Sequence, residues 1–221
     1  MTSKKPDKVA VIVPAYNEEK RIGNVLGVLT RISIINEVIV VNDGSKDRTS
    51  EVARSYNVTV IDRAVNGGKG AAMQTGIGAT NADIIAFIDA DLIGIKSEHI
   101  ESLIEPLVSD TSLMMTVGRF TRGRLSTDLA QAVLPFISGQ RAIRREFLSG
   151  LPNLEDTGFG VEVVITQHAK QNKLQVKEVL IPEATQVMKE EKLGIFGGLK
   201  ARMKMYGEIA KQVLSRNGIK R

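Results

Sequence analysis

Two acids one residue apart, Asp89 and Asp91, close the apolar run Ile84-Ile85-Ala86-Phe87-Ile88. That run has strand length and many β-branched residues, so it reads as a buried parallel strand. Side chains alternate along an extended chain, which sends both carboxylates the same way from the carboxyl edge of a sheet, where open α/β sheets bind ligands. Hard oxygen donors there suit Mg²⁺ or Mn²⁺ holding a diphosphate. An isolated Asp-x-Asp is more often a polar turn.

Three further loops change that balance. Pro14-Ala15-Tyr16-Asn17-Glu18-Glu19 follows the strand Val9 to Val13, Asn42-Asp43-Gly44-Ser45 follows Val38 to Val41, and Asn66-Gly67-Gly68-Lys69-Gly70 follows Val58 to Ile61. If these strands share one parallel sheet, the loop tips converge. An Asp in a tight turn can accept from a base N–H, glycines let backbone approach a ligand, and Lys69 can face a phosphate or a base edge. Singly each is ordinary loop chemistry, and Gly-Gly-Lys-Gly lacks the spacing of a Walker loop.

The elements that must position these loops alternate. Ile22, Val25, Leu26 and Leu29 mark a helix face, Asp47 to Arg54 a short helix, and Ala71 to about Ala79 a small-residue helix. Four strands alternating with helices imply an α/β fold, a mostly parallel sheet flanked by helices, as a single domain. Beyond it, Ile100, Leu103, Ile104, Leu107 and Val108 give another helix face, and Ser112 to Val117 a strand. The arginine-dense stretch Arg119 to Arg145 is expected as two helical pieces separated at Pro135 and Gly139. Leu154 to Gly158 reads as an acidic turn, Val161 to Ala169 as a helix, Val176 to Leu180 as a strand pairing antiparallel. A last amphipathic helix runs from about Ile195 to Leu214.

Composition narrows the classes. The chain has 221 residues, 43% of them hydrophobic, and no cysteine, which supports a sizeable core and excludes disulfides, thiolate metal sites and a Cys nucleophile. No apolar run approaches the roughly 20 residues that span a bilayer, so a cytoplasmic protein is expected, with peripheral membrane contact in view. Net charge is +5. Lys192, Lys200, Arg202, Lys204, Lys211, Arg216, Lys220 and Arg221 stand against Glu208 alone at the C-terminus, which favours an anionic neighbour. A nucleic-acid partner is not expected, because aromatics are only 4% and no recognition motif is present.

Val13-Pro14-Ala15-Tyr16-Asn17-Glu18-Glu19, Val41-Asn42-Asp43-Gly44-Ser45-Lys46-Asp47, Gly68-Lys69-Gly70 and Asp89-Ala90-Asp91 together resemble the family 2 glycosyltransferases of GT-A (Rossmann-like) fold, nearest to the polyprenol-phosphate sugar transferases. The likeness covers about the first 120 residues closely. It implies a UDP- or GDP-sugar donor, with Pro14, Ala15, Tyr16, Glu18, Asp43, Gly68, Lys69, Asp89 and Ala90 around the nucleotide and Asp91 on Mg²⁺ or Mn²⁺. Residues 1–120 would form the nucleotide-sugar half of one domain and 121–221 the acceptor half, facing a lipid-linked acceptor such as a polyprenol phosphate at the cytoplasmic membrane face. Ser138-Gly139-Gln140-Arg141 is similar to an acceptor-side segment of relatives, making Gln140 and Arg141 candidates there. Arg141, Arg144 and Arg145 could hold an acceptor phosphate, or form a solvated basic face.

By the same likeness an acidic turn supplies the catalytic carboxylate: Asp156, with Glu155 and Glu162 as rivals. Asp156 fits a helix N-cap ahead of Val161 equally well. Many relatives carry a metal-binding His after the last strand; Thr185-Gln186-Val187 stands there instead, so Gln186 is the candidate ligand. His99 and His168 read as surface or packing residues. Two other functions compete, a nucleotide-sugar-binding module without catalysis and a sugar-nucleotide pyrophosphorylase, and a homo-oligomer is compatible with all three.

Overall fold

The computed structural model describes residues 7–120, 138–182 and 184–186. In chain order these form β1 Val9–Ala15, α1 Ile22–Leu29, β2 Glu37–Asn42, α2 Thr49–Arg54, β3 Thr59–Asp62, α3 Lys69–Gly78, β4 Ile84–Phe87, β5 Leu92–Ile93, α4 Ser97–Ser109, β6 Met115–Phe120, β7 Arg141–Arg144, α5 Val161–Gln171, β8 Val176–Ile181 and β9 Thr185–Gln186. Short 3-10 turns cover Arg145–Leu148 and Leu154–Gly160.

Seven strands make one sheet in the order β3-β2-β1-β4-β7-β6-β8, and β5 pairs with β9 in a small second one. The four leading strands are mutually parallel, as the alternation of strand and helix requires. β7 alone runs against its neighbours β4 and β6. Each central strand is buried on both faces because its β-branched residues alternate between two cores. Val9, Val11 and Val13 pack with Ile22, Leu26 and Leu29 of α1 and Ile100, Leu103 and Leu107 of α4. Ile12, Ile39, Val41, Ile85 and Phe87 pack on the other side with Ala72 and Met73 of α3 and Val161, Val164 and Ile165 of α5. The result is a mostly parallel sheet between two helical layers.

Three expectations are corrected. Arg141 to Arg144 is a strand, not a helix, paired with β4 from Phe87↔Arg141 to Ile84↔Arg144. β8 pairs with β6 in parallel, from Met115↔Val176 to Phe120↔Ile181. β4 stops at Phe87, so Asp89 and Asp91 lie in the turn between β4 and β5 rather than on an extended strand. The C-terminal helix expected at about 195–214 lies outside the described residues, as do residues 121–137.

The register of β7 also disposes of two arginines as phosphate ligands. Arg144 faces Ile84, the first residue of β4, at the sheet edge opposite Asp89 and Asp91. Its guanidinium donates to the carbonyls of Leu113 (3.1 Å), Asp110 (3.2 Å) and Leu107, and lies 3.2 Å from Asp7. It therefore ties the C-terminal end of α4 to the sheet, where a cation is also favoured by the helix dipole. Arg145 donates to the carbonyls of Ala82 (2.7 Å) and Thr80 (2.8 Å) at the same edge. His99 and His168 are buried packing residues, 5% and 8% exposed, the latter edge-on to Phe147.

Arg144→Met should lower unfolding stability by about 2–4 kcal/mol in urea titrations, since it removes a buried guanidinium that donates to the Leu107, Leu113 and Asp110 carbonyls and pairs with Asp7. Ligand binding at the opposite edge should be unchanged in the folded variant.

Candidate active site

The four loops that follow β1 to β4 are stitched together in sequence. Asn17 takes a left-handed backbone with φ 56°, and its N–H donates to Ser45 Oγ at 2.9 Å while its side chain accepts from Lys46 N–H at 2.9 Å. Glu19 N–H reaches Asp47 at 3.1 Å, and Arg48 N–H reaches Glu19 at 3.0 Å. Burial works against the Asp47 charge, yet hydrogen bonds from Thr49 and Glu19 hold its carboxyl below the ordinary value. Of the residues expected at the nucleotide, Tyr16 is 44% exposed, which leaves its ring available, whereas Glu18 is 6% exposed and braces the loop through Thr49 Oγ1 (2.7 Å) and Arg21 (3.6 Å). Ala15 is buried and accepts from Asp43 N–H at 2.9 Å, and Pro14 is half-buried beside it.

Asp43 joins the second loop to the third. Its carboxylate accepts from the N–H groups of Gly67 (3.0 Å) and Gly68 (2.8 Å) and lies 2.8 Å from Arg63 Nε. Gly68, at φ 87°, sits where a side chain would be strained, and this places Lys69 at the first position of α3. The third loop then meets the fourth. Lys69 Nζ is 2.5 Å from Asp89 Oδ1 and 2.7 Å from Glu162 Oε1 of α5. Burial works to lower the Lys69 pKa, but these carboxylates outweigh it and raise the pKa well above that of a free lysine.

Asp89 is held from the other side by Gln140, and Arg141 lies fully buried beneath, donating to the carbonyls of Ser138 (2.5 Å) and Glu162 (3.3 Å). Burial pulls the Arg141 pKa down, opposed by Glu162 and Asp89. Gln140 and Arg141, expected on the acceptor, are thus both enclosed by protein, and as placed they support the site's floor. Ala90 is buried and Asp91 half-buried in the turn. Leu92 of β5 pairs with Gln186 of β9, which brings the Gln186 backbone alongside the residue that follows Asp91.

The acidic turn lies across α3. A side chain at Gly70 would collide with the Leu154 carbonyl and Thr157 Oγ1, so the 3-10 turn packs against the residue after Lys69. Glu155 and Asp156 are both exposed on it. Glu155 lines a cleft of about 220 Å³ with Gln74, Leu151 and Asn153. Asp156 is not an N-cap: Gly160 occupies that place before α5, and Asn153 caps the turn by accepting from Glu155 N–H. Arg63, paired with Asp43, and the contact of Gln140 with Asp89, 51 residues apart, escaped the sequence reading, because such separations leave no local pattern.

Comparison with known proteins bears on this arrangement. The family model described as Glycosyl transferase family 2 matches residues 10–167. The 4,4'-diaponeurosporenoate glycosyltransferase of Staphylococcus aureus strain bovine RF122 / ET3-1 is 41% identical over 101 residues, covering 43% of this chain. That alignment spans 27% of the staphylococcal protein's length. Glucosyl-3-phosphoglycerate synthase from Mycobacterium tuberculosis, solved with Mn²⁺, UDP and glucosyl-3-phosphoglycerate, superposes with a TM-score of 0.80 at 26% identity, over 97% of this chain and 81% of that one. Its complex with Mg²⁺ and UDP gives 0.81 at 26% identity, over 97% of this chain and 81% of that one.

Because the folded Lys69 holds its proton more tightly than a free lysine, its stabilisation is complete below the ordinary pKa of about 10.4 and fades only as pH rises beyond that. Lys69→Met should therefore be less stable by about 3 kcal/mol, a deficit constant from neutral pH to about pH 10 and narrowing above it. Guanidinium unfolding across that range checks both size and sign.

Proposed function

Since the chain belongs to glycosyl transferase family 2, we propose that it moves a hexosyl group from a UDP- or GDP-linked sugar to an acceptor with the help of Mg²⁺ or Mn²⁺. The observation that carries this reading is the unbroken contact path Asp43, Gly68, Lys69, Asp89 along one sheet edge, ending two residues from Asp91. The nucleotide loops thereby stand at one end of the path and the paired acids at the other. The UDP, Mn²⁺ and Mg²⁺ in the mycobacterial complexes support the same donor class here.

The donor set fits a divalent ion. Among the described residues no three of His, Cys, Asp and Glu converge. Asp89 and Asp91 would hold the ion, with Gln186 as the neighbouring candidate and diphosphate oxygens completing the shell, the arrangement Mg²⁺ commonly uses. When bound, the ion supplies positive charge against the departing diphosphate. The chain's own residues do the rest: Asp43 keeps the Gly67-Gly68 turn against the nucleotide loops, and Lys69 sets a fixed ammonium beside the phosphates. A carboxylate takes the proton where the acceptor is a hydroxyl; Asp156 is the leading candidate, exposed on the turn that packs against Gly70, with Glu155 and Glu162 its rivals.

We take residues 1–120 as the donor half and 121–221 as the acceptor half of one domain. The named relatives point to unlike acceptors, 4,4'-diaponeurosporenoate in one and phosphoglycerate in the other. A lipid-linked acceptor at the cytoplasmic membrane face is the reading that the basic C-terminal stretch supports. Among the described residues no helix is long and apolar enough to cross a membrane.

Asp91→Asn should reduce Mn²⁺-dependent sugar-nucleotide hydrolysis and transfer by at least about a hundredfold while its circular dichroism matches the parent protein. Calorimetry with UDP, GDP and Mn²⁺ alongside the turnover assay tests the proposal itself. Tight nucleotide binding without turnover by the parent protein would replace it with a binding module.

A further inference from the structure

We infer that Gln140 is a positioning residue for Asp89, whose amide fixes both the backbone and the carboxylate of that acid and so sets how firmly the turn grips a divalent cation. The inference rests on the donor-site reading above. Gln140 is fully buried at 0% exposure, so it meets the acceptor with no atom of its own. Its amide instead contacts Asp89 twice: Oε1 accepts from the Asp89 backbone N–H at 3.0 Å, and Nε2 donates to Asp89 Oδ2 at 2.9 Å. Lys69 holds the other oxygen, Oδ1, at 2.5 Å. The carboxylate is thereby clamped through both oxygens, and its main chain is clamped as well.

Only an amide side chain does this in one orientation. Glu in the same place could accept from the N–H but would set a second negative charge against Asp89, and Leu could do neither. The preceding residue adds an independent constraint, because a Cβ at Gly139 would strike the Asp89 carboxylate and the Lys69 ammonium. The 139–140 backbone is therefore seated on the acid–ammonium pair, and the Gln140 amide is delivered to Asp89 from the residue immediately before β7. Groups arranged this way around a metal-binding acid orient it and tune its affinity.

Gln140→Leu and Gln140→Glu, compared with the parent protein, test the inference through three measurements: hydrogen exchange at the Asp89 amide by NMR, Mn²⁺ binding in the presence of UDP by electron paramagnetic resonance, and thermal melting. In Gln140→Leu the Asp89 amide has lost its acceptor and should exchange about tenfold faster. The Mn²⁺ midpoint should weaken by about 10–100-fold. Gln140→Glu keeps an acceptor for the Asp89 N–H but sets a carboxylate against Oδ2, so it should retain slow exchange at that N–H and still weaken the Mn²⁺ midpoint by about tenfold at neutral pH. A residue that merely fills space would lower melting without separating these two readouts. Mn²⁺ midpoints within about twofold of the parent in both variants would overturn the inference. Should the parent protein bind no Mn²⁺ with UDP, the donor reading falls, and the exchange rate still decides: faster exchange in Gln140→Leu upholds the clamp, unchanged exchange removes it.

Discussion

Lys69 stands between Asp89 and Glu162, 2.5 Å from one carboxylate and 2.7 Å from the other, and without its charge two acids would share a poorly hydrated space. The side chains involved are only 10–19% exposed, which makes the pairing far stronger than a surface ion pair and its disruption far more costly. Arg141, wholly enclosed below them, brings the local count to two cations and two anions. The cluster is electroneutral as it stands. A cation-bridged diphosphate adds positive and negative charge together, so it can enter this neighbourhood without leaving a large uncompensated charge in a low-dielectric pocket.

The same ammonium joins parts of the chain that are distant in sequence. Lys69 opens α3, Asp89 follows β4, and Glu162 lies in the first turn of α5, 93 residues further on than Lys69. Close backbone approach makes this geometry attainable: Gly70 lets the Leu154–Gly160 turn lie against α3, and Gly139 lets the strand end settle onto the ion pair. A methyl group at either position would separate elements that the electrostatics need in contact. Small residues here are spatial requirements of the site rather than marks of flexibility.

What the sequence could and could not disclose follows from the range of the interactions. Strands β1 to β4 and their loops were legible because each carries its own period and its own turn residues, and the parallel order follows from the alternation with helices. The convergence of Asp43, Lys69 and Asp89 followed from that order. β7 was misread because a tetrapeptide with arginine at both ends looks like a solvent-facing helix, whereas Arg141 and Arg144 spend their donors on backbone carbonyls inside the fold. β8 was expected antiparallel because nothing in its own residues distinguishes one neighbour from another. Its partner β6 lies more than fifty positions back, and the intervening β7 is inserted on the far side of β6. Gln140 was assigned to the acceptor by likeness, since its partner is visible only once the register of β7 on β4 is known.

That register follows from the one reversed strand. In an all-parallel sheet the ligand edge collects residues that follow strands, which is why the loops after β1 to β4 meet there. β7 runs the other way, so its amino end, not its carboxyl end, arrives beside the carboxyl end of β4, with Arg141 opposite Phe87. The residues immediately before β7, Ser138 to Gln140, are thereby brought to the edge that holds Asp89, while Arg144 is carried to the opposite edge to hold α4. Reversal of a single strand sorts residues 138–145 by position: Gln140 and Arg141 support the acids of the site, and Arg144 and Arg145 tie α4 and the loop before β4 to the opposite edge. A parallel β7 in the same place would exchange these roles and leave Asp89 backed by whatever followed the strand, beginning with Arg145 and Glu146. The polarity of β7 thus determines which side chains of the 138–145 segment reach Asp89.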